Sequence, residues 1–435
     1  MYHFIGIKGS GMASLACILK DLGYDVQGSD IEGDFFTVKG LKEKNINIYE
    51  FNTKNIKPNM KIILGSSFNE ENNVEVKRAK ELGLEIVSYE EMLGTLTKRF
   101  KSICISGCHG KTTTTALLSH IFKETVGANY LIGDGTGYAN TQNKYFILES
   151  CEYKRHFLKY FPVHSVITNI DFDHADYYKN IDDLIDAYQE FANNTSEFMI
   201  ICGDDNNSKQ IKHNKILYYG INKDNDIIAK NINYTTEGTS FDLIIKNKFI
   251  LNIETPFFGS HMVLNTLAVL SICYIENIDI NLVKEKIKTF KGARRRFTET
   301  IVGTNILIDD YAHHPNEIDA VINSVKQKYP NKTLVSIFEP HTFSRTKMFY
   351  KEISESLNKS DYVYVMDIYK AREKQEDYPN ITSNLIRDNI NNCMNISRDE
   401  ADKLIKYEDS VLLFMSPNDL EKLENDYIKL MYKNV

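Results

Sequence analysis

The sequence predicts an α/β protein of three units, each a mostly parallel sheet flanked by helices. Two observations carry this. The same local grammar opens three segments: a short apolar strand, a Gly-rich or polar turn, then a helix. Strands go on alternating with helices after each start, the pattern of parallel sheets covered on both faces. The length agrees, since 435 residues at roughly 150 per domain make about three domains.

The first start is a strand over 3–7, the turn Lys8-Gly9-Ser10-Gly11 and a helix over 12–22. Further strands are expected over 61–65 and 84–87, and a boundary near 97–101. The second start is a strand over 102–106, the turn Gly107-Cys108-His109-Gly110-Lys111 and a helix over 112–122. Strands over 145–148, 165–168 and 198–202 follow, with a helix over 180–191. Residues 227–253 alternate apolar and polar, with turn signals at Glu237-Gly238 and Asn247-Lys248, and read as a small antiparallel insert. After a boundary near 292–297 comes the third start: a strand over 306–308, a turn over 309–315 and a helix over 316–328. Strands over 333–338 and 362–366 complete the reading.

Composition narrows the function classes. Hydrophobic residues make 42% of the chain and charged residues 26%, enough to bury sizeable cores and to exclude global disorder. No apolar run approaches the roughly 18 residues of a membrane-spanning helix. The first residues read as a strand rather than a signal peptide, so a cytoplasmic location is expected. Seven cysteines at irregular spacing, with no C-x-x-C, argue against a disulfide framework and a structural zinc site. A net charge of −7 argues against a broad nucleic-acid footprint, although local loops can still hold anions.

The sharpest motif is Gly107-Cys108-His109-Gly110-Lys111-Thr112-Thr113, between a strand and a helix. Glycines let backbone N–H groups wrap phosphate oxygens, Lys111 neutralises their charge and the Thr112 hydroxyl suits magnesium. The N-terminal loop Gly9-Ser10-Gly11, with Asp30 about 20 residues on, suits a nucleotide or nucleotide sugar. Taken alone it would also suit a nicotinamide-dependent oxidoreductase, but a dehydrogenase has no use for the Gly-Lys-Thr loop. Glu149 and the run Asp171-Phe172-Asp173-His174-Ala175-Asp176 read either as a metal-binding edge or as a solvated loop capping the next helix. Arg294-Arg295-Arg296 and Arg345 offer forks for phosphate or carboxylate, or belong to a solvated face. Asp309-Asp310-Tyr311-Ala312-His313-His314 reads as a substrate or nucleotide loop rather than a zinc site.

Together these residues resemble the Mur ligase family. The matching stretches are HFIGIKGSGMASLA (3–16), GCHGKTTTT (107–115), FILESCEYKRHFL (146–158), TNIDFDHADYY (168–178), HMVLNTLAV (261–269), RRRF (294–297), DDYAHHPNEI (309–318) and FEPHTFSRT (338–346). The resemblance implies an α/β chain of three domains. These are a Rossmann-like UDP-sugar-binding domain (1–97), a central P-loop ATP-binding domain with the antiparallel insert (98–296) and a C-terminal Rossmann-like amino-acid-binding domain (297–435). It implies an ATP- and Mg2+-dependent ligase of peptidoglycan precursor synthesis, monomeric or homodimeric, without nucleic acid or membrane insertion. The best match is the family's first amino-acid-adding step, which joins L-alanine to UDP-N-acetylmuramate through an acyl phosphate. A murein-peptide recycling ligase or another amino-acid-adding member is the alternative.

Carried over by residue, the resemblance implies that Gly107, Cys108, His109, Gly110, Lys111, Thr112 and Thr113 bind the nucleotide phosphates. Asn265 would meet adenine, and Arg295 and Asp310 would lie around its ribose and phosphates. Thr112, Glu149 and His174 would hold metal. Gly9, Ser10, Gly11 and Asp30 would take UDP, and His313 and Arg345 would face the amino acid. Lys111, Glu149, His174, His313 and Arg345 form the catalytic set. Three features depart from the family pattern: Thr342 where many relatives have Arg, no Lys between 180 and 194, and Met415-Ser416-Pro417-Asn418-Asp419 in place of a Gly-rich turn.

Overall fold

A computed structural model describes residues 1–33 and 35–433. They fall into two compact units: Met1–Asp171, Ile181–Ile228 and Asn265–Phe290 form the first, and Phe172–Asn180, Ala229–Leu264 and Lys291–Val435 the second.

The first unit contains two sheets. One is built from β1 (Tyr2–Ile5), β2 (Val26–Ser29), β3 (Asn47–Tyr49), β4 (Lys61–Leu64) and β5 (Ile86–Ser88), all parallel, in the order β3-β2-β1-β4-β5. The helices between them are α1 (Ser10–Asp21), α2 (Val38–Glu43), α3 (Val74–Glu81) and α4 (Tyr89–Arg99). Helix α1 buries every residue from Met12 to Leu19, so it is covered all round rather than along one stripe. The chain leaves β1 on one side and returns on the other at β4. The Gly9–Gly11 turn after β1 therefore sits where the strand order reverses, the usual ligand crevice of such sheets.

The other sheet contains β6 (Lys101–Ser106), β7 (Ala128–Leu131), β8 (Gly137–Tyr138), β9 (Tyr145–Glu149), β10 (His164–Ile167), β11 (Met199–Cys202) and β12 (Ile216–Gly220). Within this unit the order is β12-β11-β10-β6-β9-β7-β8, parallel except for the β7–β8 hairpin. Its helices are α5 (Lys111–Thr125), α6 (Ile181–Asn193), most of α7 (Ser260–Ile275) and α8 (Ile280–Thr289). The order reverses again at β6, between β9 and β10, so the ends of both neighbours flank the turn that starts α5.

At the opposite edge of this sheet Glu276 gathers three strand starts. It pairs with Lys101 at 2.5 Å, and accepts from Tyr145 Oη at 2.6 Å and bonds His164 Nε2 at 2.6 Å. Burial works to raise the Glu276 pKa, but the bonds from His164, Lys101 and Tyr145 outweigh it and bring it down to about 2.

The second unit holds the rest of β13 (Ile227–Thr235), the hairpin β14 (Gly238–Ile245) and β15 (Lys248–Thr255), and a six-stranded sheet. The insert was expected to be antiparallel from residue 227. Instead β13 starts in parallel register with β12 (Gly220↔Ile228), and the antiparallel pairing that is resolved lies between β14 and β15. The six strands are β16 (Thr298–Val302), β17 (Asn305–Asp310), β18 (Thr333–Phe338), β19 (Tyr362–Val365), β20 (Cys393–Asn395) and β21 (Ser410–Met415), in the order β16-β17-β21-β18-β19-β20. Only the β16–β17 hairpin is antiparallel. Helices α9 (Pro315–Lys328), α10 (Phe343–Leu357), α11 (Asn384–Arg387) and α12 (Glu421–Lys433) cover it. The two-residue period of β21 splits its apolar run: Val411, Leu413 and Met415 pack with α9 and α10, whereas Leu412 and Phe414 pack with α12. No helix among the described residues is long and apolar enough to cross a membrane.

A carboxyl whose folded pKa is depressed stabilises fully above its unfolded pKa, and the contribution fades as pH falls through the folded value. Glu276→Gln is therefore expected to cost about 2 kcal/mol at neutral pH. It should also flatten the wild-type loss of stability between its ordinary value of 4.5 and about 2. Urea unfolding over that pH range checks both.

Candidate functional site

The turn after β6 is held from both sides. Asn169, just beyond β10, takes Cys108 N–H on its carbonyl (3.1 Å) and His109 N–H on its side-chain oxygen (2.9 Å). Thr168 Oγ1 and Asn169 Nδ2 donate to His109 O at 2.6 and 3.0 Å. Gly110 caps α5 at φ 80°, a left-handed conformation that favours glycine. A side chain there would also reach within 2.6 Å of Asn265 Oδ1, so Asn265 lies directly against the turn. The N–H groups that open α5 are thus held in the arrangement that binds anions at a helix start.

Lys111 Nζ donates to Gly107 O and Cys108 O and pairs with Glu152 at 3.0 Å. Burial alone would lower its pKa, but Glu152 and its neighbours hold it above the ordinary lysine value, so the ammonium stays charged. Glu152, almost fully buried, was not singled out from the sequence, although it lies in the quoted stretch 146–158. Asn169 and Thr168 were likewise unremarked within 168–178. Glu149 ends β9 and accepts Gly133 N–H at 2.9 Å, and any side chain at residue 133 would collide with its carboxylate. The charge of Glu149 also reaches Lys111. Glu149, Glu152 and the Thr112 hydroxyl are hard oxygen donors of the kind that suits magnesium.

In the first sheet Gly9 caps α1, and Ser10 and Gly11 open it. Asp30 stands one step behind the turn. It is buried, and its two oxygens accept Lys8 N–H (2.6 Å) and Ile31 N–H (2.8 Å). Its observed task is to shape the glycine turn.

In the second unit Arg345 Nη2 meets both oxygens of Asp173 (2.8 and 3.1 Å), and Nη1 lies 3.0 Å from His341 Nδ1. Burial would raise the Asp173 pKa, but the Arg345 charge holds it well below the usual range. His313 faces His341 with ring centroids 5.9 Å apart. Burial, reinforced by the Arg345 charge, outweighs Glu317 and brings the His313 pKa to about 3, and His341 falls to about 4 by burial and Arg345. Both rings are neutral at physiological pH. His174 follows Asp173 at φ 56°, in the segment this unit claims. Asp173 is expected from the sequence as part of a metal-binding edge or a solvated loop, and its pairing with Arg345 and the contact of Arg345 with His341 are what the sequence does not signal.

Arg295 has its nitrogens engaged by Asp309 (3.0 Å at Nε) and by the carbonyls of Ser416, Pro417 and Asn418 (2.7–3.2 Å), so it clamps the turn over 416–418. Asp310, buried, accepts Phe297 N–H and Ala312 N–H at 2.8 Å each, and burial raises its pKa to about 6.

Comparison with known proteins follows this architecture. Residues 1–101 match the Mur ligase family catalytic domain, 105–273 the Mur ligase middle domain and 294–416 the Mur ligase glutamate ligase domain. The chain is similar to the UDP-N-acetylmuramate–alanine ligase of Thermotoga maritima (TM-score 0.83, 23% identity, 100% of this chain and 99% of that one). It is similar to a murein peptide ligase of Psychrobacter arcticus (TM-score 0.72, 20% identity, 99% and 98%). A third relative is the MurF ligase of Thermotoga maritima in complex with ADP (TM-score 0.64, 16% identity, 94% and 96%).

Asp173→Asn leaves Arg345 buried beside a neutral partner, and a loss of about 3 kcal/mol is expected in urea unfolding. Adding Arg345→Met should restore part of it, because the uncompensated charge then disappears with its partner.

Proposed function

The chain belongs to the Mur ligase family, whose members are ATP-dependent ligases, and we propose that it joins L-alanine to the carboxylate of UDP-N-acetylmuramate with release of ADP and phosphate. The observation that carries the reading is the charged Lys111 clamped by Glu152 inside the turn at the start of α5. The carboxylate and the γ-phosphate are both anions, so bringing them into line needs fixed positive charge. Lys111 supplies it, and the N–H groups that open α5 cradle the phosphates. Magnesium, held by Thr112 and Glu149, would neutralise phosphate charge when bound.

A carboxylate oxygen attacks the γ-phosphorus, the bond to the ADP oxygen breaks and an acyl phosphate forms. The amine of alanine then attacks the acyl carbon, and the tetrahedral intermediate expels phosphate. Gly9, Ser10 and Gly11 hold the UDP end, with Asp30 fixing the turn, and Asn265 borders the nucleotide beside Gly110. Arg345, held by Asp173 and His341, contributes positive charge toward the amino acid's carboxylate, and neutral His313 can accept a hydrogen bond from its amine. The alanine-adding step is preferred for the matching stretches 146–158, 309–318 and 338–346 and for the full-length likeness to an alanine ligase. A murein-peptide ligase is the second reading, favoured by the comparable coverage of such an enzyme.

Phosphate release by the purified protein should require UDP-N-acetylmuramate, L-alanine and magnesium together. Release that ignores alanine but responds to a free murein tripeptide would favour the second reading. Lys111→Ala should abolish turnover with the melting temperature preserved. Glu152→Gln should lower kcat by roughly two orders of magnitude, because the ammonium loses its orienting partner.

A further inference from the structure

Tyr89 stands at a corner of the first unit that none of these roles uses. It is the first residue of α4, directly after Ser88, whose side chain and Glu91 close a capping box. Ser88 also ends β5, so this helix start brings the ring to the edge of the sheet that carries Gly9, Ser10 and Gly11. A Cβ built on Gly11 would lie 2.6 Å from the Tyr89 hydroxyl oxygen and 2.7 Å from the carbon that bears it. The phenol therefore rests on the glycine turn itself, and a side chain at residue 11 would press on it. The same hydroxyl lies within electrostatic reach of Glu149 and Cys151, at the ligand edge of the neighbouring sheet. Burial first, then the Glu149 charge, keep it protonated. Its residue is only partly covered, and it makes no hydrogen bond to another group among the described residues. A neutral donor without a partner thus sits between two anion-binding turns.

We propose that Tyr89 binds the sugar nucleotide, its hydroxyl donating to an oxygen between the diphosphate at Gly9–Gly11 and the carboxylate that is phosphorylated. The inference rests on the ligase reading, because that substrate must span from one turn to the other. Gly11 admits the phenol, and the phenol in turn meets the middle of the substrate.

Tyr89→Phe keeps the ring and removes only the donor. The Michaelis constant for UDP-N-acetylmuramate should rise roughly tenfold, with those for ATP and L-alanine and the melting temperature unchanged. Calorimetry should show the same weakening for UDP-N-acetylmuramate and equal affinity of both proteins for UDP alone. An active wild type with an unaltered Tyr89→Phe variant overturns the inference alone. So does a variant in which all three constants worsen along with the melting temperature, since the hydroxyl is then structural. A wild type whose phosphate release ignores UDP-N-acetylmuramate overturns the ligase reading and this inference together.

Discussion

The ammonium of Lys111 is the group around which the first unit is arranged. A buried cation is costly unless charge and hydrogen bonds surround it, and here the surroundings are all main-chain oxygens and one carboxylate. They come from two strand ends: Gly107 and Cys108 follow β6, and Glu152 follows β9. The reversal of strand order at β6 makes this possible, because it leaves both neighbouring strand ends free to reach the same turn. Asn169 and Thr168, after β10, complete the enclosure from the other side.

The second unit solves a similar problem with the signs exchanged. Its buried carboxylate, Asp173, is held ionised by Arg345, and the same arginine helps keep His341 and His313 neutral. One guanidinium thereby acts on the charge state of three neighbours, alongside the burial that dominates at the two histidines. This is why Arg345 differs from Arg295, which stands in the other basic cluster but is consumed by Asp309 and three carbonyls.

Much of this was legible in the sequence because it is written locally. The Gly-Lys-Thr turn, the strand–turn–helix starts and the apolar stripes need only neighbouring residues, and the helix over 316–328 begins within one residue of the observed α9. What escaped reading is long-range. Glu152 matters because it reaches a lysine 41 residues away, and Asp173 because it reaches an arginine 172 residues away. Neither spacing carries a periodic signal. Arg295 shows the same limit: a run of three arginines reads as an anion site, and only the fold reveals that one of them also binds Asp309 and three carbonyls of its own chain. The start of the insert differs from expectation because β13 lies between β12 and β14 and its first two residues pair in parallel with β12, a partner that alternation along one strand does not specify.

Helix α7 couples the two edges of the central sheet of the first unit. Glu276, next to its last residue, is fixed at the start of β6 by Lys101, and Asn265 lies against Gly110 past the end of β6. Eleven helical residues span about 16 Å, and the five steps from Lys101 to Ser106 span about the same. Helix and strand act as two rulers cut to one length. An insertion or deletion in either would slide Asn265 along the phosphate turn, so the two segments are expected to change length only together.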